Sequence, residues 1–260
     1  MMRSFASSAF VPDEEIDQHL PERVCNLFNQ RAERWNRKYL SRGNLLRRLD
    51  AFCETLRACA EPSTEVLDFG CGTGHLAAHL REHCYQVTGC DFAENMIAHA
   101  RRNFEDKAIN WVQLSPGWKR LPFASETFGA VVASSVFEYL ADVNLVLSEF
   151  ARVLKDRGVL IFNVPNPASV CRRRELWSLQ MTKQEWIRNA LCIIPRARRY
   201  FTYLDLSTNR YPLTQWQASV ETHGFRRLKK ISQRQNNPPL FLFAFRKTLP
   251  SLVAAEQGWS

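Results

Sequence analysis

Two carboxylates and a run of alternating glycines are the residues of this chain whose types and spacing could do chemistry. Asp68 sits in the short apolar run Val66-Leu67-Asp68-Phe69, and Gly70-Cys71-Gly72-Thr73-Gly74 follows at once. A second run, Gln86-Val87-Thr88-Gly89-Cys90, ends in Asp91. Glycine tolerates positive φ and lets a ligand approach the backbone closely. A carboxylate accepts two charge-assisted hydrogen bonds from a ribose diol, and an adenine asks for an apolar slot with few polar groups. Together these describe a pocket for a nucleoside. A dinucleotide turn would need a third glycine where His75 stands. A phosphate loop would need a lysine that is absent after Gly74. The spacing instead suits a ligand with an uncharged or zwitterionic end, with Asp68 available to a cationic group. The residues alone leave open a ligand-free glycine turn, and an Asp91 that caps the following helix.

A second set of candidates lies in Ser134-Ser135-Val136-Phe137-Glu138-Tyr139-Leu140. The histidines offer no catalytic constellation: His75, His79, His83 and His99 fall on helices as surface or packing residues.

The elements that must position these residues follow from the hydrophobic pattern. Residues 13–60 read as two or three amphipathic helices. Strand and helix then alternate, with strands at 65–69, 86–90, 109–114, 129–134 and 157–164, and helices at 74–83, 94–104 and 142–155. This alternation predicts an α/β fold with a doubly wound, mainly parallel sheet. Residues 166–212 break the alternation as an insertion. A helix at 213–223 and strands at 225–233 and 239–246 close the sheet, with Asn236-Asn237-Pro238-Pro239 as the turn between them. In a parallel sheet, ligands bind outside the carboxyl ends of the strands. Asp68, Asp91, Ser115 and Ser134 all fall there.

Val66 to Gly74 resembles the first motif of the class I S-adenosylmethionine-dependent methyltransferases, and the likeness to small-molecule members of type 11/12 extends over 64–165. It implies a seven-stranded Rossmann-like sheet, S-adenosyl-L-methionine as cofactor, and methyl transfer to a small-molecule acceptor, an O-methylation in the favoured reading. The loop from Gly70 through Cys71 and Gly72 to Gly74 would pass under the methionine part, with Asp68 at its edge. Asp91 would take both ribose hydroxyls, and Phe92 and Met96 would lie against the adenine. The family's acid after the third strand is missing from Val112-Gln113-Leu114-Ser115-Pro116-Gly117-Trp118, where Ser115 is the substitute, and its F-D before the fourth strand is Phe128-Gly129. Ser134 completes the cofactor set, and Glu138 and Tyr139 would stand on the wall between cofactor and acceptor, Glu138 as the candidate general base and Tyr139 as the residue that orients the acceptor. The N-terminal helices would cap the cofactor, with Trp35 or Tyr39 facing the ligand.

Composition bounds the rest. At 260 residues with 45% hydrophobic content, the chain can bury one α/β core. We divide it into a helical cap at 1–60, a methyltransferase domain at 61–247 that carries the 166–212 insertion, and a tail at 248–260. No apolar run approaches a membrane span, and Met1 to Phe10 has too short an apolar core for a signal peptide. Eight cysteines without a C-x-x-C spacing fit a reduced, cytoplasmic setting with no metal site. The net charge of +9 is uneven: from Arg172 to Arg199, eight Lys and Arg stand against two Glu, interleaved with Trp177, Met181, Trp186 and Ile193. A basic, aromatic lid suits an anionic or carrier-bound acceptor. A solvated helix face and a peripheral contact with an anionic membrane are the other readings. Nucleic acid is not the expected partner, because no nucleic-acid module accompanies the charge. Two other classes stay open: a catalytically silent binding or partner subunit, against which the intact acidic and glycine features speak, and a nicotinamide-dependent oxidoreductase, against which His75 speaks.

Overall fold

A computed structural model describes residues 17–41, 43–182, 184–228 and 239–249. Two helices, α1 (Leu20–Ser41) and α2 (Gly43–Arg57), lead into β1 (Glu65–Phe69), α3 (His75–Glu82), β2 (Gln86–Asp91), α4 (Glu94–Asn103) and β3 (Asn110–Gln113). Then come β4 (Phe128–Ala133), a single 3-10 turn at Phe137–Tyr139, α5 (Val143–Val153) and β5 (Leu154–Pro165). The insertion holds α6 (Val170–Met181), α7 (Glu185–Cys192) and α8 (Pro195–Leu206), and α9 (Leu213–Thr222), β6 (Phe225–Arg227) and β7 (Leu240–Lys247) follow.

The sheet runs β3-β2-β1-β4-β5-β7-β6. The first five strands pair in parallel, and β7 lies antiparallel to both β5 and β6. This is the doubly wound, mainly parallel sheet that the alternation predicted, with seven strands as the resemblance implied. The chain reverses direction across the sheet between β1 and β4, and an open α/β sheet binds its ligands at such a switch point.

The strands are apolar on both faces because helices cover both. Side chains alternate across a strand, and the core divides accordingly. Leu67 and Phe69, Val131 and Ala133, and Leu160, Phe162 and Val164 enter a cluster with α5 and α9. Val66, Ala130, Val132, Val159 and Ile161 meet Leu49, Phe52 and Leu56 of α2 and Leu76, Ala77 and Leu80 of α3. Helix starts are set locally: Asp142 accepts the Leu145 N–H at 2.9 Å before α5, and Ser169 accepts the Arg172 N–H at 3.2 Å before α6.

Helix α1 forms a roof over the carboxyl ends of the strands, while α2 packs on a face of the sheet. Helix α1 rests on α4 through Ala32, Met96 and Ala93, with Phe28, Trp35 and Phe92 around them. Asn29 holds the start of α4, its Oδ1 accepting the Asn95 N–H at 2.9 Å and its carbonyl accepting from Asn95 Nδ2 at 3.2 Å.

Several predicted boundaries move. The helix expected at 142–155 ends at Val153, because Leu154 pairs with Phe128 and starts β5. β3 is the shorter Asn110–Gln113. The strand expected at 225–233 is observed as Phe225–Arg227, and most of the turn expected at 236–239 lies outside the described residues. Among the described residues, no helix is long and apolar enough to cross a membrane.

Candidate active site

The glycine loop is pinned to the second strand. The Gly70 and Cys71 N–H groups both donate to the Cys90 carbonyl, at 2.8 and 3.0 Å. The Gly72 N–H donates to Asp91 Oδ2 at 2.9 Å, and the Ala93 N–H donates to Asp91 Oδ1 at 2.8 Å. Asp91 thus ties the loop to the start of α4. A carboxylate offers about four lone-pair sites, so Asp91 keeps acceptor capacity for a diol while serving that structural role.

The three glycines are not equivalent. All have positive φ. A Cβ on Gly70 would lie 2.5 Å from Val136 Cγ2, and one on Gly74 would lie 2.6 Å from Trp111. A Cβ on Gly72 would meet nothing closer than 3.9 Å, with Met96 Sδ and Trp35 Nε1 as the nearest atoms. Gly70 and Gly74 are therefore small because neighbouring side chains fill the space. Gly72 alone presents bare backbone to an open side. That side is framed by Trp35 above and by Met96, which is buried.

Asp68 is 1% exposed, and its Oδ2 has no hydrogen-bond partner among the described residues. Burial first, and Asp91 second, push its carboxyl up to about 8, against the pull of the Ala77 backbone N–H. Asp91 is pushed up to about 6 by burial, with the Ala93, Gly72 and Phe92 backbone groups opposing. Cys71, buried beside both, has its thiol held well above its ordinary value by burial and by the two acids. A buried acceptor with no donor is costly unless a ligand supplies one. The Asp68 oxygen and the open face of Gly72 therefore fit a ligand with a cationic end lying along this loop.

The other sequence candidates divide. Phe92 is half-buried and packs with Phe28 and Trp35. Ser134 is half-buried with a buried, unpartnered Oγ. Ser115 is exposed beyond β3, its carbonyl accepting the Trp118 N–H at 3.1 Å. Glu138 is 4% exposed, and its Oε2 has no partner. Burial pushes its carboxyl up to about 7, while its own backbone N–H, Arg48 and Arg172 pull down. Tyr139 is held well above its ordinary value by burial and by Glu138, so it is a neutral phenol. Its ring meets Phe28 edge-on at 5.1 Å.

Glu138 and Tyr139 border a cavity of about 610 Å³ between the roof and the insertion. Its wall carries Arg31, Arg34 and Lys38 from α1, Arg48 from α2, Arg172 from α6, and Arg196 and Arg199 from α8, against only Glu138 and Glu175. Arg172 is 3% exposed; one guanidinium nitrogen meets Glu175 and another, Nη2, is unpartnered. The Tyr203 hydroxyl donates to Glu175 Oε1 at 3.1 Å. Arg48 Nη1 donates to Ser135 Oγ at 3.0 Å. Ser135 has a φ of 58°, held by its N–H donating to Asn163 Oδ1 at 2.7 Å. Of the three consecutive arginines in the insertion, only Arg172 faces the cavity; Arg173 and Arg174 are exposed.

Sequence reasoning missed Arg48, Asn163, Glu175 and Tyr203. Their roles arise from tertiary contacts for which local spacing gives no signal. It also passed over a trio at the α2–α3 contact, Cys53, His79 and His83, whose ligand atoms lie within 4.8 Å of one another. None of the three lines the cavity. His79 is engaged 3.3 Å from Asp50, and His83 Nδ1 lies 2.7 Å from the His79 carbonyl.

Residues 67–162 match the family model described as a methyltransferase domain. The chain is 35% identical over 105 residues to an uncharacterized methyltransferase, YodH, of Bacillus subtilis, covering 40% of this chain and 45% of that protein. It is 40% identical over 97 residues to the ubiquinone/menaquinone biosynthesis C-methyltransferase UbiE of Desulfotalea psychrophila, covering 36% and 38%. The chain thus spans about half or less of the length of these curated relatives. Among solved structures, magnesium protoporphyrin IX methyltransferase from Synechocystis, with bound S-adenosylhomocysteine, superposes with a TM-score of 0.62 at 17% identity, over 86% of this chain and 98% of that one. Residues 67–162 thus carry a methyltransferase domain, and the fold around them is that of an S-adenosylmethionine-type methyltransferase sheet.

Proposed function

We propose that this protein transfers a methyl group from S-adenosylmethionine to an oxygen of a small anionic acceptor. The observation that carries this reading is the cavity wall, where seven cationic side chains stand against two carboxylates. Such a wall concentrates an anion and repels a cation.

S-adenosylmethionine, when bound, supplies an activated methyl on a sulfonium. Along the glycine loop, Asp68 would accept from the cationic amino end, Gly72 would leave room for close approach, and Asp91 would take the ribose hydroxyls on its remaining lone pairs. Phe92, Met96 and Trp35 would provide the apolar slot. On the acceptor side, the unpartnered Arg172 Nη2 would hold the anionic group as a charge-assisted donor. The unpartnered Glu138 Oε2 would take the proton of the attacking hydroxyl. A base poised near neutrality suits that task. Tyr139, neutral and fixed against Phe28, would orient the acceptor. The roof would exclude water and hold the acceptor in line.

The relatives carry both C-methyltransferase and O-methyltransferase names. The buried Glu138 favours oxygen here, since a hydroxyl gains most from a base. The test is methyl transfer to a panel of carboxylated, phosphorylated and neutral hydroxyl compounds, each anion paired with its neutral ester or amide. A kcat/KM that favours the anion of each pair supports the reading. Equal kcat/KM within the pairs refutes it.

A further inference from the structure

We propose that the insertion docks on an anionic membrane surface and that the acceptor is an amphiphile whose anionic head enters the basic cavity. The proposal rests on the cavity being an anionic-acceptor site and adds where the acceptor comes from.

The first observation is a helix without a core. No residue of α7 is buried, and α6 buries only Arg172. A helix of 8 residues is not self-supporting in water, and most helical stability comes from packing an apolar face. Here the apolar side chains are bare: Trp177 of α6 is 63% exposed, Trp186 of α7 69%, and Ile193 and Ile194, between α7 and α8, 77% and 55%. Leu176, Met181 and Leu191 are exposed as well, so nearly all the large exposed hydrophobics of the described residues crowd into this one segment. Scattered surface hydrophobics need no explanation, but a concentration like this marks a surface that is covered in use.

The second observation decides what covers it. Arg173, Arg174, Arg196, Arg198 and Arg199 are exposed among these apolar side chains, and the stretch from Arg172 to Arg199 contains only Glu175 and Glu185 as acids. Glu175 is turned inward onto Arg172 and Tyr203. Repulsion between such surfaces disfavours a second copy of the same face, whereas an anionic bilayer matches both features. Tryptophan belongs at the headgroup level, and arginines bind anionic lipids. Because no described helix can span a bilayer, attachment would be peripheral.

The third observation links the surface to the chemistry. Helix α6, which exposes Leu176, Trp177 and Met181, also lines the cavity through Cys171 and Arg172, and α8, which follows the exposed Ile193 and Ile194 directly, lines it through Arg196, Arg199 and Tyr203. An acceptor with an apolar tail and an anionic head would find both complements on one structure.

The test uses the full chain with phosphatidylglycerol/phosphatidylcholine vesicles and with phosphatidylcholine vesicles, read by co-sedimentation and by the blue shift of tryptophan fluorescence. Wild type should bind the anionic vesicles and not the neutral ones, and added salt should weaken the binding by screening. The double variant Trp177→Ser, Trp186→Ser should weaken it by roughly tenfold or more. Arg173→Gln with Arg174→Gln should weaken it too, and neither pair lines the cavity. All variants should keep wild-type melting and S-adenosylhomocysteine affinity, and methyl transfer to a water-soluble anionic acceptor. That last assay separates failure of docking from failure of the anionic-acceptor reading. Absence of vesicle binding by wild type overturns the proposal, as does binding unchanged in the tryptophan variant. A wild-type dimer that the tryptophan variant dissolves, without vesicle binding, would assign the face to a second copy and also overturn it.

Discussion

Replacing Asp68 by Asn should stabilise the empty protein and damage its binding site, by an amount that depends on pH. The folded carboxyl sits at about 8 against an ordinary value of 3.8. A carboxyl raised on folding is neutral in both states at low pH, so it contributes no penalty there. As pH rises, the unfolded chain ionises while the folded one stays protonated, and each pH unit then costs the fold about 1.4 kcal/mol. About three units separate the ordinary value from neutrality, so the wild type carries a penalty of about 4 kcal/mol near pH 7. Asn is neutral in both states, and its carbonyl can still accept from the Ala77 N–H. Urea denaturation without ligand should therefore show the variant near wild type at about pH 4 and progressively more stable up to about pH 8, with a plateau above. S-adenosylhomocysteine titration should show weaker binding in the same variant, because Asn cannot ionise to pair with the cationic amino end. A stability difference that does not change with pH, or a variant less stable than wild type at pH 8, would refute the reasoning. It would mean that Asp68 is ionised in the folded protein.

Other outcomes follow from the same geometry. Asp91→Ala should weaken S-adenosylmethionine binding by about 1.5–3 kcal/mol for the lost charged hydrogen bonds; calorimetry checks this, and denaturation should also reveal a stability loss, since the Gly72 and Ala93 N–H groups lose their acceptor. Gly72→Val should reduce cofactor affinity far more than Tm, whereas Gly74→Val should do the reverse because Trp111 and Ala100 occupy the space; thermal melts alongside titrations compare the two. If Glu138 is the base, kcat should fall as pH drops below about 7, its folded value, and Glu138→Gln should lower kcat and remove that limb. Arg196→Gln with Arg199→Gln should raise the acceptor KM and leave S-adenosylhomocysteine affinity unchanged in steady-state and binding assays.

The sheet was legible because its strands are buried on both faces, so Val66 to Phe69 and Val159 to Val164 read as apolar runs whatever their neighbours. The Asp68–glycine–helix unit was legible for the same reason, being wholly local. Boundaries failed where tertiary pairing outweighed local preference: Lys155-Asp156-Arg157 suits a helix, yet pairing of Leu154 with Phe128 draws the segment into β5. The roles of the three glycines were not separable, since Val136 and Trp111 reach Gly70 and Gly74 from other strands and loops. Nor could spacing say that Arg172 turns inward while Arg173 and Arg174 do not, or that Arg48 reaches Ser135. The charge of the insertion was visible in the sequence; the side to which each charge points was not.

The roof over the site has a consequence for how the protein is made. Arg31 Nη2 donates to the Arg199 carbonyl at 3.1 Å, across 168 residues of chain, and Asn29 holds the start of α4. Helix α1 leaves the ribosome before its partners do: it has its resting place only after the middle of the chain exists, and its last partner only after the insertion does. Contacts so distant in sequence carry the loop-closure entropy of everything between them and form late. During that interval Phe28 and Trp35 stay uncovered, which makes the nascent N-terminal helix the segment that chaperones would meet.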